Sequence, residues 1–294
     1  MWLSVGLSYL KVTQSKLRKR KGGVAPPSKN EEHVLVLRTC DKDLTSYGGF
    51  QWPESGPVEA LDWDPLTHEG GGLYGYLWGE GSGTQISRSP QAKWLVVQVQ
   101  TEDLVVLSTC VKFRKGHVVY SGGRPGAQQF LKERDPSCRQ RIGDRIFAGD
   151  YTSASVGAIG IVEVGKGSIA VTGLDGTAIA DDYGSSIADH GGSAFAGRHG
   201  HALSLYRGVS TAGDHGTAIS GMYGDSTAGK AGIALTGLSG QARAGEKGKI
   251  IIPWWDGSCD RLVIGYVGED GILPDTYYKV DNQGCLCPVQ DQRG

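Results

Sequence analysis

The residues with the clearest chemical potential lie in the first third of the chain. Arg38 ends an apolar run, and a stretch rich in glycine and aromatic residues follows, including the motif LYGYLWGEG. A guanidinium can hold a phosphate through two parallel hydrogen bonds, and an aromatic ring can stack on a planar ligand. Because small-molecule pockets combine aromatic walls with a few fixed polar groups, the sequence predicts a ligand pocket here. The predicted pocket residues are Arg38, Tyr74, Tyr76, Trp78, Glu80 and His117.

A purely structural role is the alternative for the same residues. Arg38 can pair with a nearby acid such as Asp41 or Asp43, and the tryptophans can form the core of the domain. The sequence contains no phosphate-binding Gly-Lys-Ser/Thr loop, no His-Glu-x-x-His helix and no Gly-x-Ser-x-Gly elbow. The six cysteines are scattered, and the histidines favour solvated turns over a metal cluster. We therefore predict no catalytic residue, no metal and no cofactor.

The middle of the chain contains an eight-residue repeat. Glycine recurs at every eighth position from 176 to 248, and the second and fourth positions after each glycine up to Gly240 hold only alanine, serine or threonine. The first and third positions vary and include Asp225, Gln241 and Arg243. Since a strand directs alternate side chains to opposite faces and unpaired charges are costly to bury, the small residues must face inward. The repeat predicts an ordered β-solenoid with a thin core rather than a disordered linker.

Two octads form one flattened coil of 16 residues. We expect the glycine that begins each octad, and glycine or aspartate at the fifth position after it, to supply tight turns with positive φ. About five coils, stacked at roughly 4.8 Å each, would give a rod about 25 Å long.

Alternate octads lie on opposite sides of this rod, and their third positions differ. One side is apolar throughout, whereas the other begins with Ile179 and Phe195 and becomes polar through Thr211, Thr227 and Arg243. An outward apolar stripe usually marks a covered surface. Either the chain's own first or third segment covers it, or it joins a second copy across a two-fold axis. We call this stripe the apolar ladder; its residues are Val171, Ile187, Leu203, Ile219, Leu235 and Ile251.

The predicted fold class is mainly β, in four parts. The net charge of −1 gives no general attraction to nucleic acid or to an anionic membrane, and the apolar N-terminal stretch is too short to span a bilayer. Within the second part, PGAQQFLKERDP predicts a helix, and the stretch from Gly48 to Gly83 predicts a long loop or set of loops. The parts are a flexible basic leader (1–30), an α/β domain (31–141), the solenoid (142–252) and a β cap with tail (253–294).

The octads are similar to the GTATAGD-type repeats of phage and prophage β-solenoid proteins and, more distantly, to bacterial ice-nucleation repeats. Motifs outside the repeat, among them VLRTCDKDLTSYGGFQWPESGPVEA and WWDGSCDRLVIGYVGEDGI, extend the phage resemblance over residues 34 to 281. That resemblance implies a phage-type protein in the cytoplasm of a bacterial host. Ice binding is not expected, because the outward positions mix isoleucine, phenylalanine, aspartate, histidine and arginine instead of forming a regular Thr-x-Thr array.

An arginine on an early strand, followed by a Gly-x-Tyr turn, is similar to the ADP-ribosyltransferase fold. Members that keep a catalytic glutamate carry it on a later strand, where RKGHVVYSG offers His117 and no acid. We therefore expect a non-enzymatic protein that binds a second copy through the apolar ladder, and the resemblances imply that it captures a nucleotide or ADP-ribose-type signal of bacterial defence. Two alternatives remain open: an NAD-dependent enzyme similar to ADP-ribosyltransferases, and a structural protein of the virion.

Overall fold

The computed structural model describes residues 32–137 and 139–289, and the predicted leader lies outside them. The chain divides into two compact units, one ending at residue 137 and the other beginning at residue 138. Both units are built mainly from β-strands. Within the described ranges, no helix has the length and apolar character needed to cross a membrane.

The first unit is a sheet of seven strands with one α-helix among its described residues. Its elements are β1 (His33–Cys40), β2 (Thr45–Ser46), a 3₁₀ turn (Tyr47–Gly49), β3 (Phe50–Gln51), β4 (Gly56–Glu59), β5 (Leu73–Leu77), β6 (Lys93–Gln100), a 3₁₀ turn (Thr101–Asp103), β7 (Leu104–Val106), β8 (Val111–Phe113), β9 (Lys115–Gly122) and α1 (Arg124–Arg134). The strand order is β4-β9-β6-β1-β5-β8-β7, and β2 pairs separately with β3.

Two expectations for this unit change. Every neighbouring pair in the seven-stranded sheet is antiparallel, so the described residues of the unit predicted as α/β form an antiparallel sheet with one α-helix. The predicted long loop contains β3, β4 and β5. Gly75, which suggested a loop, lies inside β5, where a Cβ atom would collide with the Val36 side chain and come within 2.7 Å of the Leu37 carbonyl oxygen. This glycine therefore permits close strand packing.

The sheet is buried on both sides at its centre. Val36, Leu95 and Val97 belong to a cluster that also contains the fully buried Trp52 and Phe113. Helix α1 packs on β6 and β9, and its Leu131 is completely buried. Burying large apolar side chains of this kind contributes about 1.5–3 kcal/mol each, which fixes the strands that carry the candidate ligand residues.

The second unit is the solenoid. Its strands in chain order are β10 (Arg145–Ala148), β11 (Ser153–Val156), β12 (Ile161–Val164), β13 (Ile169–Thr172), β14 (Thr177–Ala180), β15 (Ser185–Ala188), β16 (Ser193–Ala196), β17 (His201–Ser204), β18 (Val209–Ala212), β19 (Thr217–Ile219), β20 (Asp225–Ala228), β21 (Ile233–Leu235), β22 (Gln241–Ala244) and β23 (Lys249–Trp255). Even-numbered strands form one parallel sheet, the first sheet, and odd-numbered strands form the second sheet. Each sheet has seven such strands, so the solenoid has about seven coils rather than five.

The interior of the solenoid is as thin as the repeat predicts. The second and fourth positions of the octads are buried throughout, and clusters of alanine methyl groups fill the space between the sheets. Buried hydroxyls bond to one another, as Ser204 does with Ser210 at 2.8 Å, and Ser210 also donates to the carbonyl oxygen of Ile219 at 2.6 Å. Because the Ser204 and Ser210 hydroxyls are paired, they avoid the cost of an unsatisfied polar group, whereas the buried hydroxyls of Thr172 and Ser186 have no hydrogen-bond partner among the described residues.

The role of the octad glycine differs from the prediction. The left-handed backbone belongs to the residue before it, with φ between 53° and 61° at nine non-glycine positions, and not to the octad glycine itself. The octad glycine is required by packing, since a Cβ atom on Gly216 would lie 2.8 Å from the Cβ atom of Ala212 and 2.9 Å from the carbonyl oxygen of Gly200. The nine residues with positive φ are Asp175, Tyr183, His199, Arg207, His215, Tyr223, Ala231, Ser239 and Lys247.

Both sheets end on antiparallel strands after the last coil. The strands are β24 (Asp260–Tyr266), β25 (Tyr278–Val280) and β26 (Leu286–Pro288). β24 pairs with β23 in the second sheet, and β25 pairs with β22 in the first sheet. Ile250, Ile252 and Tyr278 replace the small interior residues here, so the core widens where the solenoid stops.

Candidate functional site

The apolar ladder lies on the outer face of the second sheet, in register from strand to strand. Val171 lies beside Ile187, Leu203 beside Ile219, and Leu235 beside Ile251. Each ladder residue is half-buried, because neighbouring rungs cover its flanks and leave its outer surface exposed. β24 extends the ladder at the sheet edge by placing Ile264, which is 50% exposed, beside Ile251. This part of the third segment therefore prolongs the apolar face.

A second apolar surface borders the ladder. The turns that lead from the second sheet back to the first follow directly after the ladder positions, and we call them the apolar corner. Tyr206, Met222 and Tyr223 are 38%, 44% and 51% exposed, and they lie next to one another on consecutive coils. The outward apolar residues of this corner are Leu174, Leu205, Tyr206, Met222, Tyr223 and Leu238.

The opposite turns, from the first sheet to the second, form the charged corner. The sixth position of the octad alternates in sign from one coil to the next. Asp182 Oδ1 accepts a hydrogen bond from the backbone amide of Arg198 at 2.7 Å, and Asp182 Oδ2 lies 2.9 Å from Arg198 Nη2. Lys230 Nζ lies 2.8 Å from Glu246 Oε2. The alternating column is Asp150, Lys166, Asp182, Arg198, Asp214, Lys230 and Glu246.

These contacts perturb the ionisation of the charged corner. Hydrogen bonds from Arg198 hold the pKa of Asp182 below its ordinary value, and the Lys230 ammonium does the same to the pKa of Glu246. Both cations have pKa values raised by the same partners. Asp182, Arg198, Lys230 and Glu246 therefore each have an opposite charge within their own chain.

Two of the four solenoid histidines, His199 and His215, stack in one column with Tyr183. The Tyr183 and His199 rings lie 5.1 Å apart and nearly parallel, and the His199 and His215 rings lie 5.0 Å apart. All three rings lie at the left-handed turn position of consecutive coils. Among residues 32–137 and 139–289, no group of three or more histidine, cysteine, aspartate or glutamate side chains is arranged to hold a metal ion.

The outer face of the first sheet is mixed, as predicted. Ile179 lies beside Phe195, and Thr227 lies beside Arg243. The polar end of this column contacts the last segment, where the Tyr277 and Thr227 hydroxyls are 2.9 Å apart and the Arg243 guanidinium lies 4.6 Å from the Tyr277 ring centroid. The first sheet therefore has no apolar column comparable to the ladder.

Arg38 is the most constrained of the predicted ligand residues. Its Nη1 donates to the carbonyl oxygen of Tyr74 at 3.0 Å, and its guanidinium lies 5.5 Å from the Trp52 ring centroid. No carboxylate in the described part of the chain pairs with it, so the predicted alternative of pairing with Asp41 or Asp43 is wrong. Burial lowers the pKa of Arg38 and raises that of neighbouring Cys40 to about 11. Arg38 Nε is buried and has no hydrogen-bond partner among these residues.

The neighbouring aromatic residues serve the fold. The Tyr74 hydroxyl closes a loop by donating to the carbonyl oxygen of Gly70 at 2.6 Å and accepting from its amide at 2.7 Å. Tyr76 is 2% exposed and its hydroxyl accepts from the Gln85 amide, so its ring has no free face for a ligand. Trp78 has a left-handed backbone, and it and Glu80 are partly exposed in the turn after β5.

His117 lies apart from the Arg38 group. It lines an open groove of about 650 Å³ together with His33, Gln98, Gln100 and Asp103. β9 carries His117, and β6 and β1 carry the groove residues beside it in register. Arg38 does not line this groove, so the structure brings Arg38, Tyr74 and Tyr76 together but leaves His117 in a separate polar groove.

Reading the sequence at eight-residue intervals missed both corners. The apolar ladder is visible at the third position of alternate octads, whereas the corners differ at the sixth position. Reading that position every 16 residues gives alternating charges on one side and Leu174, His190, Tyr206, Met222 and Leu238 on the other. The difference between the two corners is therefore visible in the sequence when it is read at intervals of 16 residues, the length of one coil, and not at intervals of eight residues.

Curated relatives with this repeat are ice nucleation proteins. One from Pseudomonas fluorescens is 36% identical over 127 residues, covering 42% of this chain and 10% of the relative. Ice nucleation protein InaU of Pantoea ananas is 36% identical over 103 residues, covering 34% and 10%. One from Pseudomonas syringae pv. syringae is 37% identical over 112 residues, covering 37% and 9%. The chain thus spans about a tenth of the length of these relatives, and the similarity falls in the repeat region.

No family model matches this chain, and no solved structure matches it. The predicted distant similarity to ice-nucleation repeats is confirmed, as is the β-solenoid. The phage association, the resemblance of the first unit to ADP-ribosyltransferases and the cytoplasmic location stay predictions.

Proposed function

We propose that this protein is a non-enzymatic, self-associating scaffold whose solenoid joins two copies of the chain through the apolar ladder. The observation that carries the proposal is the continuous column of half-exposed aliphatic residues on the second sheet, in register over six coils. A rigid apolar face on a soluble protein gains free energy by being covered, at about 25 cal/mol per Å² of surface removed from water.

Association of two copies about a two-fold axis would cover this apolar face on both copies. A ladder of similar residues at regular spacing is complementary to itself, because each copy presents isoleucine, leucine and valine to the same kinds of side chain. Ice nucleation is the activity that the names of the relatives give. For this chain the outward pairs at the first and third positions, such as Thr217 with Ile219 and Val209 with Thr211, form no Thr-x-Thr array that would favour it.

Light scattering of the full chain tests this function. We expect the mass of a dimer for the unmodified protein and the mass of a monomer for the Leu203→Lys/Ile219→Lys double variant, because two ammonium groups at the centre of the ladder would be desolvated on association. The Ile179→Lys/Phe195→Lys variant, which alters two neighbouring apolar residues on the outer face of the first sheet, is the matched control and should remain dimeric. A monomeric unmodified protein, or a dimeric double variant with native circular dichroism, contradicts the proposal.

A second function, binding of a phosphate-bearing small molecule, is favoured by one observation in the first unit. Arg38 is a half-buried cation whose pKa is lowered by desolvation, and among the described residues it has no carboxylate partner and its Nε has no hydrogen bond. An uncompensated buried charge is costly, and an anionic ligand that reaches it would gain two charge-assisted hydrogen bonds. A nucleotide or ADP-ribose-type signal of bacterial defence has this chemistry, and its sequestration is the use we propose.

Calorimetry with ADP-ribose, NAD, a cyclic nucleotide and inorganic phosphate tests the second function. We expect a nucleotide to bind the unmodified protein and binding to fall at least tenfold in Arg38→Gln, with Arg38→Lys retaining part of it as a point charge. The absence of binding by every compound removes this function. Conversion of NAD to a product would favour the enzymatic alternative instead.

A further inference from the structure

The apolar ladder is narrow for a stable interface. Seven strands at about 4.8 Å and four residues at about 3.3 Å give the second sheet a face of roughly 33 by 13 Å, or about 430 Å². A stable specific interface buries about 800 Å² on each partner. The ladder face alone supplies about half of that area, so a dimer that uses only this face would be weak.

The apolar corner supplies the missing area. Its turns begin where the ladder strands end, so Tyr206 follows the strand that carries Leu203, and Met222 follows the strand that carries Ile219. Four-residue turns over six coils add roughly 300 Å² to the face, since each residue extends the surface by a few ångströms. The combined surface approaches the size of a standard interface.

Charges on this corner are few and mostly compensated. Asp189 and His190 form a pair with one another. The Arg207 guanidinium lies 5.2 Å from the Tyr206 ring centroid and 5.9 Å from that of Tyr223. Arginine and tyrosine are enriched among the residues that contribute most of the binding energy in protein interfaces, and an arginine next to a tyrosine ring is attracted to it. The charged corner, by contrast, carries seven successive ionic side chains and would have to be desolvated on association.

We propose that the self-association surface wraps around one edge of the solenoid, combining the apolar ladder with the apolar corner, and that its occupant is the same surface of a second copy. The inference rests on the proposed self-association. Tyr206, Leu205 and Arg207 lie in the fourth of the seven coils, at mid-height of the rod, where a two-fold axis brings equivalent residues of two copies together. Tyr206 and Met222 are therefore the expected anchors.

Sedimentation equilibrium of the full chain tests the corner separately from the ladder. Tyr206→Lys and Met222→Lys should each raise the dimer dissociation constant at least tenfold, and Tyr206→Ser with Met222→Ser should raise it without introducing charge. Because both residues are exposed in turns, the unfolding midpoint should change little. Arg198→Gln, in the same coil as Tyr206 but on the charged corner, is the matched control and should leave the constant unchanged.

The outcomes separate the two proposals. If the ladder double variant is monomeric while the Tyr206 and Met222 variants dimerise as tightly as the unmodified chain, the corner is excluded and the ladder function stands. If the unmodified chain is monomeric at all concentrations, both proposals are overturned. If the Arg198 variant weakens the dimer as much as the Tyr206 variant, the assignment of the interface to one edge is overturned.

Discussion

The two corners of the solenoid share one backbone and differ in chemistry. Both place a residue with a left-handed backbone directly before the octad glycine, and both need that glycine because the coil beneath leaves no room for a Cβ atom. At the sixth position one corner carries charges of alternating sign, whereas the other carries leucine, histidine, tyrosine and methionine; exposed tyrosines occur on both corners, as at Tyr183 and Tyr223. The comparison shows that the repeat fixes the fold at a few positions and leaves the sixth position free to determine what each edge contacts.

The alternation of charge has a local cause. An aspartate at the sixth position bonds to the backbone amide of the residue 16 positions later, as Asp182 does to Arg198 and Asp214 does to Lys230. A cation in the next coil can then pair with this aspartate or with the acid of the following coil. Because like charges at 4.8 Å spacing repel, alternation is the arrangement that makes a charged column stable.

The largest effect is expected at a glycine of the charged corner whose backbone lies against the coil beneath. In Gly213→Ala the new methyl group would lie 2.8 Å from the Arg198 amide nitrogen of the coil beneath, so the free energy of unfolding should fall by about 1–3 kcal/mol. Gly149 holds the equivalent position in the first coil and has no atom within 4 Å of such a group. Gly149→Ala should therefore cause no loss in urea unfolding; equal losses in both variants would contradict the packing explanation.

Reversing one charge tests the charged corner alone. Arg198→Glu places a carboxylate between Asp182 and Asp214, so the melting temperature should fall at low ionic strength and recover in part at about 1 M salt, where the screening length is about 3 Å. Arg198→Gln removes the pair without adding repulsion and should cause a smaller fall. The dimer dissociation constant should not change in Arg198→Gln. A melting temperature that responds equally to both substitutions at every salt concentration would argue against the alternating column.

The smallest effect concerns pH. The pKa of Asp182 is lowered in the folded chain, so its stabilising contribution is present above the pKa of an unfolded aspartate, about 4, and is lost as the pH falls below that value. Arg198→Gln should weaken this dependence, although the bond from the residue 198 amide would remain. Comparing urea unfolding of the two proteins between pH 5 and pH 2.5 measures the difference. Parallel curves would mean that Arg198 does not set the ionisation of Asp182.

Much of the solenoid was predictable from the sequence because the two-residue alternation of a β-strand fits evenly into the eight-residue repeat. Alternation along a strand assigns Ala218 inward and Ile219 outward, and the eight-residue repeat carries the assignment from coil to coil. The left-handed residues could not be identified in this way, since tyrosine, histidine, arginine, alanine and lysine all occupy that position. The backbone there is imposed by stacking on the coils above and below.

The first unit was less predictable because its contacts are distant in sequence. Arg38 could be singled out as an isolated cation, but its contacts with Tyr74 and Trp52 depend on the sheet order. The sequence predicted that Tyr76 is available to a ligand because it lies among glycines. In the structure the Tyr76 ring is buried, and its hydroxyl accepts a hydrogen bond from the Gln85 backbone amide. The same sheet order separates His117 from Arg38.

The most direct test of the central claim compares cross-linking at the two corners of one coil. Cysteine is introduced at Tyr206 in one protein and at Arg198 in another. In both proteins Cys138, exposed Cys259 and Cys285, and half-buried Cys287 are replaced by serine. A short thiol cross-linker is added, and the covalent dimer is quantified by mass spectrometry. The apolar-edge interface predicts a high yield from position 206 and a background yield from position 198. Equal yields, or a higher yield from position 198, would contradict it.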